Sequence, residues 1–420
     1  MSIRTHIVKS SMLVSSLFIA GLVAEATTVD VGGSIRPRTE FSETKGAAAN
    51  PSFTTMQTRL NVKATVDEQV SAFIQIQDVR TWGGEAGTAA PPSITSTGTD
   101  YNGNVDFHQA YFVVKNVLGS GFALKVGRQE MVFDEARLIG NIGWIQQAQS
   151  FDAARVDGRF DDISVTGFFS QTNGTSTHAT LGNTVAGTKV QDSEFVGARA
   201  TYHLKGKGRI TGYWYGAYDP IRANGVAGNM QELHTVGLYA AQTFNGVRVR
   251  FDGAFQFGDV SATKDIQASM MTFSIGKKLD VANGAHIAAW LDILSGDDGL
   301  DATRQKNFVT PYATNHKFYG HVDRFLQNPT LGLIDLSVKA WIKPTAKLKL
   351  VAHGHKFTSV ESGIGGVTGQ DDYGSEIDVQ MHYALAKNTK AVFGISKYFM
   401  GDDTTRPDKS WGFAMFVSKF

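Results

Sequence analysis

The sequence predicts an all-β protein: a transmembrane antiparallel β-barrel of eighteen strands, preceded by a cleaved signal peptide. Three observations predict it. Apolar and polar residues alternate with period two through nearly all of the chain after residue 27, the pattern of strands with two unlike faces. The connections between these segments alternate between short and long, as in bacterial outer-membrane barrels. Beyond the first 26 residues no apolar run reaches 18 residues, which argues against membrane-spanning helices.

Composition narrows the function classes. The 420 residues are 42% hydrophobic and 19% charged, with 45 glycines, 9 prolines and no cysteine. Charge falls below the roughly 25% usual in soluble proteins. Without cysteine there is no disulfide scaffold, thiolate zinc site, iron–sulfur cluster or thiol nucleophile. A net charge of +1 gives no reason to expect nucleic acid as a partner, since that calls for a concentrated basic surface.

The amino terminus gives the compartment. Arg4, His6 and Lys9 precede an apolar stretch from Met12 to Val23, and Ala24-Glu25-Ala26 supplies small residues at a cleavage site. That order is a secretory signal, too short for a spanning helix. Residues 1–26 are therefore expected to be removed, leaving 27–420 as one barrel domain in the outer membrane of a Gram-negative bacterium. A buried N-terminal helix is the other reading.

Strands are expected near 28–41, 53–65, 70–80, 104–116, 121–130, 151–159, 162–172, 192–204 and 209–219. They continue near 231–243, 246–257, 266–279, 285–295, 331–343, 346–358, 372–385, 389–399 and 409–420. Each is justified by alternation: Val247, Val249, Phe251, Phe255 and Phe257 oppose Arg248, Arg250, Asp252 and Gln256 on one strand, and Ile377, Val379, Met381 and Tyr383 oppose Glu376, Asp378, Gln380 and His382 on another. A soluble sandwich alternates too, but it has no reason to keep long and short connections in strict turn. Phe168-Phe169, Tyr213-Trp214-Tyr215, Tyr398-Phe399 and Trp411 lie near strand ends, where aromatic girdles meet the headgroups; sandwich cores also place rings there. The terminal Phe420 resembles the signal read by the barrel-assembly machinery, an expected partner together with outer-membrane lipid and lipopolysaccharide.

Eighteen strands enclose an aqueous lumen unless loops fill it, so the inward faces are the candidate functional surface. Alternation puts Arg36, Arg38, Arg59, Lys63, Lys125, Arg155, Arg159, Arg199, Arg248, Arg250, Lys339 and Lys349 inside. Asp30, Glu40, Asp157, Asp252, Asp292, Asp335, Glu376 and Asp378 face them. Rings of charge are how pores select, and the basic excess favours anions; mutual neutralisation is the competing explanation. Segment 131–150 is unlike the other long loops, because Leu138, Ile139, Ile142 and Trp144 gain nothing from water. Folding inward would bury them and leave Arg137 at the passage, whereas an external loop packed on its neighbours is the alternative. Arg128 breaks the alternation, lying in phase with the outward Phe122, Leu124 and Val126.

Other chemistry is weakly signalled. The acidic loops 295–301 and 401–403 offer oxygen ligands for calcium but lack EF-hand spacing, and solvated loops explain them as well. The histidines are scattered. His353 and His355 share a strand face, yet no carboxylate at fixed spacing points to a metal, so no metal or cofactor is expected. No nucleophile motif stands out, and no enzyme is expected.

The runs Lys125-Val126-Gly127-Arg128-Gln129-Glu130, Glu135-Ala136-Arg137-Leu138-Ile139-Gly140, Trp144 and Ser150-Phe151-Asp152-Ala153-Ala154-Arg155-Val156 resemble the alginate-export family of outer-membrane proteins. So does the block from Pro311 to Asp323. The resemblance implies an eighteen-stranded barrel with an electropositive, arginine-bearing pore for an anionic polyuronate. It implies a pore or constriction role for Arg128, Arg137 and Arg155. The expected function is thus a channel for hydrophilic anionic solutes or a polyuronate-type polysaccharide. A general diffusion porin is the nearest rival, and a barrel enzyme or surface adhesin the rival of another class.

Overall fold

The computed structural model describes residues 28–82, 102–173, 193–218, 232–364, 367–368, 371–403 and 405–420. The expected signal peptide lies outside the described residues. Eighteen long strands follow one another: β1 (Thr28–Thr44), β2 (Ser52–Thr65), β3 (Val70–Thr81), β4 (Asn102–Val114), β5 (Phe122–Gln129), β6 (Phe151–Phe160), β7 (Ile163–Asn173), β8 (Ser193–His203) and β9 (Arg209–Tyr218). The second half comprises β10 (Glu232–Phe244), β11 (Val247–Ser261), β12 (Lys264–Leu279), β13 (Ala285–Leu294), β14 (Leu333–Ile342), β15 (Leu348–Thr358), β16 (Asp372–Ala386), β17 (Thr389–Met400) and β18 (Lys409–Lys419). Each pairs antiparallel with the next, and β18 returns to β1 with Ser34 opposite Lys419 and Thr44 opposite Lys409. Phe420 locks the seam, its N–H donating to the Gly33 carbonyl while its carbonyl accepts from the Gly33 N–H. The sheet is closed, and closure alone removes edge strands.

Period two is preserved around the ring. On β12, Ile266, Ala268, Met270, Thr272 and Ser274 are buried on the inner face, while Met271, Phe273 and Ile275 are exposed on the outer one. Outward Val31, Leu238, Leu336, Ile377 and Ile395 extend the apolar surface. In water such an area would aggregate; in lipid, each large side chain contributes about 1.5–3 kcal/mol on burial.

The structure corrects two expectations about this wall. Connections are not strictly alternating, because β11 runs to Ser261 and β12 begins at Lys264, leaving a tight turn where a longer loop was expected over 258–265. Gly258 does not stop the strand. With φ +132° and the Glu232 carbonyl close to where a Cβ would stand, it lets β10 and β11 stay paired as far as Glu232 opposite Asp259, while β11 and β12 pair on past a bulge at Asp259–Ser261. The second correction concerns aromatics. Phe168, Tyr213, Tyr215, Tyr398 and Trp411 are buried on the inner face rather than set in a girdle, because two long loops fold into the lumen and pack on them. Trp214 does face outward, stacked on His234.

Candidate pore constriction

The loop of residues 130–150, between β5 and β6, turns into the barrel as its apolar residues predict. Met131 and Ile139 are 0% and 1% exposed. A second loop, 295–332 between β13 and β14, also folds inward; its Phe308, Val309, Phe318, Tyr319, Val322 and Phe325 are buried. Sequence reading missed this second loop as an interior element. Its many polar residues hide the apolar ones, which fit no fixed period.

The two loops meet mid-lumen. Ile139 and Tyr312 form a parallel bridge, the Gly140 N–H donates to the Tyr312 carbonyl at 2.8 Å, and the Thr314 N–H donates to the Ala136 carbonyl at 2.9 Å. Trp144 stacks on His316 with ring centroids 4.6 Å apart. These backbone bonds satisfy groups that a lumen loop would otherwise leave unpaired.

Many of the predicted inward basic residues hold this assembly. Arg36 donates to the Gly143 and Ile145 carbonyls at 2.8 and 2.9 Å. Arg38, buried, donates to the Trp144 carbonyl and to Glu40, each at 2.6 Å. Arg199 reaches Asp134 at 2.9 Å, and Lys339 donates to the Phe318 carbonyl at 2.9 Å. Arg59 donates to Gln77 at 2.7 Å and lies 3.6 Å from Glu130. Arg250 approaches Glu135 at 3.2 Å, and Arg155 pairs with Asp157 at 2.8 Å. Arg248 shares this inward face, its buried Nε–H donating to no partner among the described residues. Arg159 stands apart at the short-turn end, with the Asp161 carbonyl 3.4 Å away.

The three family-motif arginines part company: Arg155 faces the lumen, Arg137 is buried within it, and Arg128 stands outside. Arg128 lies on the outer face, paired with Asp152 at 2.8 Å and near Asp106 at 3.8 Å. Its phase with Val126 is real, and no bulge returns it to the lumen. Arg137 is inside but not at an open passage: it is 3% exposed, donates to Asp292 at 2.9 Å, and lies 3.9 Å from the Phe318 ring centre. It ties the first loop to β13 and the second loop.

The loop tip carries residues the sequence did not single out. Asp134 faces Arg199 and Arg209 at 2.9 and 3.5 Å. Glu135 faces Arg250 and Lys317 at 3.2 and 3.5 Å, accepts from the Tyr239 hydroxyl at 3.0 Å, and feels Arg248. Burial pushes the Glu135 carboxyl upward, but Lys317, Arg250, the Tyr239 hydroxyl and Arg248 outweigh it and hold the group below the usual range. Glu130 is similar, with burial opposed by hydrogen bonds from His108 and Asn141 and the charge of Arg59. Burial lowers the Lys317 ammonium despite Glu135. Around Asp134, Glu135 and the neighbouring Asp252, five cations stand against three carboxylates. Arg209 and Lys317 remain 31% and 50% exposed. The signal for Glu135 was its place in a polar motif inside an apolar loop, and for Lys317 its place in the block from Pro311 to Asp323; Arg209 had none.

The acidic loops are satisfied from within the protein. Asp297 accepts from the Gly299 N–H, Asp298 from Lys306, and Asp403 from Thr405 and Arg406. The histidines, scattered in sequence, are gathered in space: His321, His353 and Asp378 bring one ligand atom each within 4.8 Å of one another.

Residues 27–412 match the alginate export family. The chain belongs to the alginate export family. No curated protein matches it in sequence. Among solved structures, this family member is similar to a BenF-like porin from Pseudomonas fluorescens Pf-5, at 13% identity and a TM-score of 0.63, covering 94% of this chain and 100% of that one. Pseudomonas aeruginosa OpdO superposes with a TM-score of 0.62 at 12% identity, over 94% and 98% of the two chains. P. aeruginosa OccK2 (OpdF) in complex with glucuronate gives 0.61 at 12% identity, over 94% and 97%. At these identities the likeness is one of fold: an eighteen-stranded porin barrel. Family and fold are those of channels rather than enzymes.

Proposed function

We propose that this alginate export family barrel is an anion-preferring channel of the Gram-negative outer membrane, passing small carboxylated, uronate-type solutes. One observation carries the reading: around the tip of the first loop, Arg199, Arg209, Arg248, Arg250 and Lys317 outnumber Asp134, Glu135 and Asp252. A ring of fixed charge favours the opposite ion, and arginine matches a carboxylate through paired N–H donors. Loops that bond to each other across the lumen favour small solutes over a broad, unselective passage. The glucuronate bound to OccK2 is a carboxylated sugar of the same chemical class. The outward apolar wall supports lipid and lipopolysaccharide as surroundings. The basic, apolar and small-residue run of residues 4–26 supports secretion towards that membrane.

The test is swelling of liposomes containing the purified protein. Glucuronate should enter faster than glucose, a neutral sugar of nearly equal size. Equal rates would make the protein a general diffusion porin, and no swelling with either sugar would remove the channel.

A further inference from the structure

On the lumen wall at β14–β16, beside the second loop, lies a cluster that the pore reading does not use. His321 comes from the loop, His353 and His355 from β15, and Glu376 and Asp378 from β16. Asp378 and Glu376 are 1% and 0% exposed, and Asp335 on the adjoining strand is 0% exposed. Three carboxylates thus sit in a dry wall.

The lone pairs converge. His321 Nδ1 lies 3.6 Å from Asp378 Oδ1. Gln380 donates to that same nitrogen at 3.2 Å, so Nδ1 carries a lone pair and not a proton, and an ion bound there replaces the Gln380 hydrogen bond. His353 lies beside His321, the ring centroids 5.2 Å apart and the planes tilted by 55°, and one ligand atom from each of His321, His353 and Asp378 lies within 4.8 Å of the others.

A second observation points the same way. His355 Nδ1 is 3.0 Å from both Asp335 oxygens, which places its proton there and leaves Nε2 bare. That nitrogen is 3.7 Å from Asp378 Oδ2. Neither atom has a hydrogen-bond partner. Two buried acceptors facing each other repel unless a proton or a metal ion lies between them, and metal titration separates the two. The nearby ammonium of Lys339 is turned to the Lys317 and Phe318 carbonyls, and that of Lys409 to the Val322 carbonyl.

We propose that His321, His353 and Asp378 bind one divalent transition-metal ion of the zinc type. Two imidazoles and a carboxylate suit zinc, which prefers nitrogen donors, rather than calcium or magnesium, which take oxygen. Zinc sites with three protein ligands keep a fourth position for water or another donor, and His355 stands beside it. Tetrahedral ligands at zinc distances lie about 3.3 Å apart, so the three atoms close in by small side-chain rotations. The ion fastens the second loop to the barrel wall, because one ligand belongs to the loop and two to the strands. Asp335 acts as a positioning residue, orienting His355 as a carboxylate behind a metal-facing imidazole.

The experiment uses the full-length, untagged protein in detergent, titrated with Co2+ and with Zn2+. The expected result is one equivalent of Co2+ giving the visible bands of a tetrahedral site, bleached by one equivalent of Zn2+. His353→Ala and Asp378→Asn should each weaken Co2+ binding at least tenfold. Should the strand variants not fold, His321→Ala, on the loop, makes the same test with the wall intact. Absence of cobalt bands in the wild-type protein overturns the proposal. So does binding that survives in folded His321→Ala and His353→Ala, or binding of Ca2+ in preference to Zn2+.

Discussion

Arg137 and Asp292 meet at 2.9 Å inside the barrel, their side chains 2% and 1% exposed, although 155 residues separate them. Their bond joins the first inward loop to β13, beside the second loop. A buried ion pair is costly to form, and breaking it leaves a bare charge in a dry site.

Replacing Arg137 by alanine should therefore destabilise the barrel by about 3–5 kcal/mol. Adding Asp292→Asn should restore a good part of that loss. Denaturant unfolding of the single and double variants in detergent checks the point. Equal destabilisation by both would mean that Asp292 does not carry an unpaired charge.

Arginines on the two faces should behave differently. Arg250→Ala and Arg209→Ala remove cations from the constriction and should lower chloride preference in planar bilayers. Arg128→Ala, on the outer face with Asp152, should leave the reversal potential unchanged. A shift with Arg128→Ala equal to that with Arg250→Ala would place Arg128 in the ion path.

Strand layout was legible because period two is local: Arg248, Arg250 and Asp252 announce their face within five residues. The inward fold of the first loop was legible from Leu138, Ile139 and Trp144, which water does not favour. The pairings within the lumen were not legible. Arg137 finds Asp292, and His321 finds Asp378, across many strands, and nothing local encodes either meeting. The inward aromatics misled for a related reason. Tyr215 and Trp411 look like girdle residues until a loop arrives to cover them.

Glu135 makes the loop junction sensitive to acid. Its carboxyl is held below the ordinary 4.5 in the folded protein. Such a group stabilises the folded state above its unfolded value, and the contribution is lost as pH falls through the folded one. Thermal stability should thus drop as pH is lowered from 4.5, with channel noise rising as the loop detaches from Lys317 and Arg250. Glu135→Gln should be less stable at neutral pH and flatten this dependence. An identical acid profile in that variant would assign the sensitivity elsewhere.

Gly320 should not tolerate a side chain. Its φ is +82°, and a Cβ would stand 2.5 Å from the Glu376 carboxyl carbon, whose Oε1 accepts from the Val322 N–H at 2.8 Å. Gly320→Ala should cost about 1–3 kcal/mol and loosen the second loop, read as a lower melting temperature and faster proteolysis within 295–332. A variant as stable and as protease-resistant as the wild type would contradict this packing.

The central claim is a conducting lumen whose fixed charge favours anions. The most direct measurement is the reversal potential of single channels in a planar bilayer under a potassium chloride gradient. The predicted result is steady conductance with a reversal potential displaced towards that of chloride. A displacement towards potassium, or a barrel that conducts nothing, would contradict it.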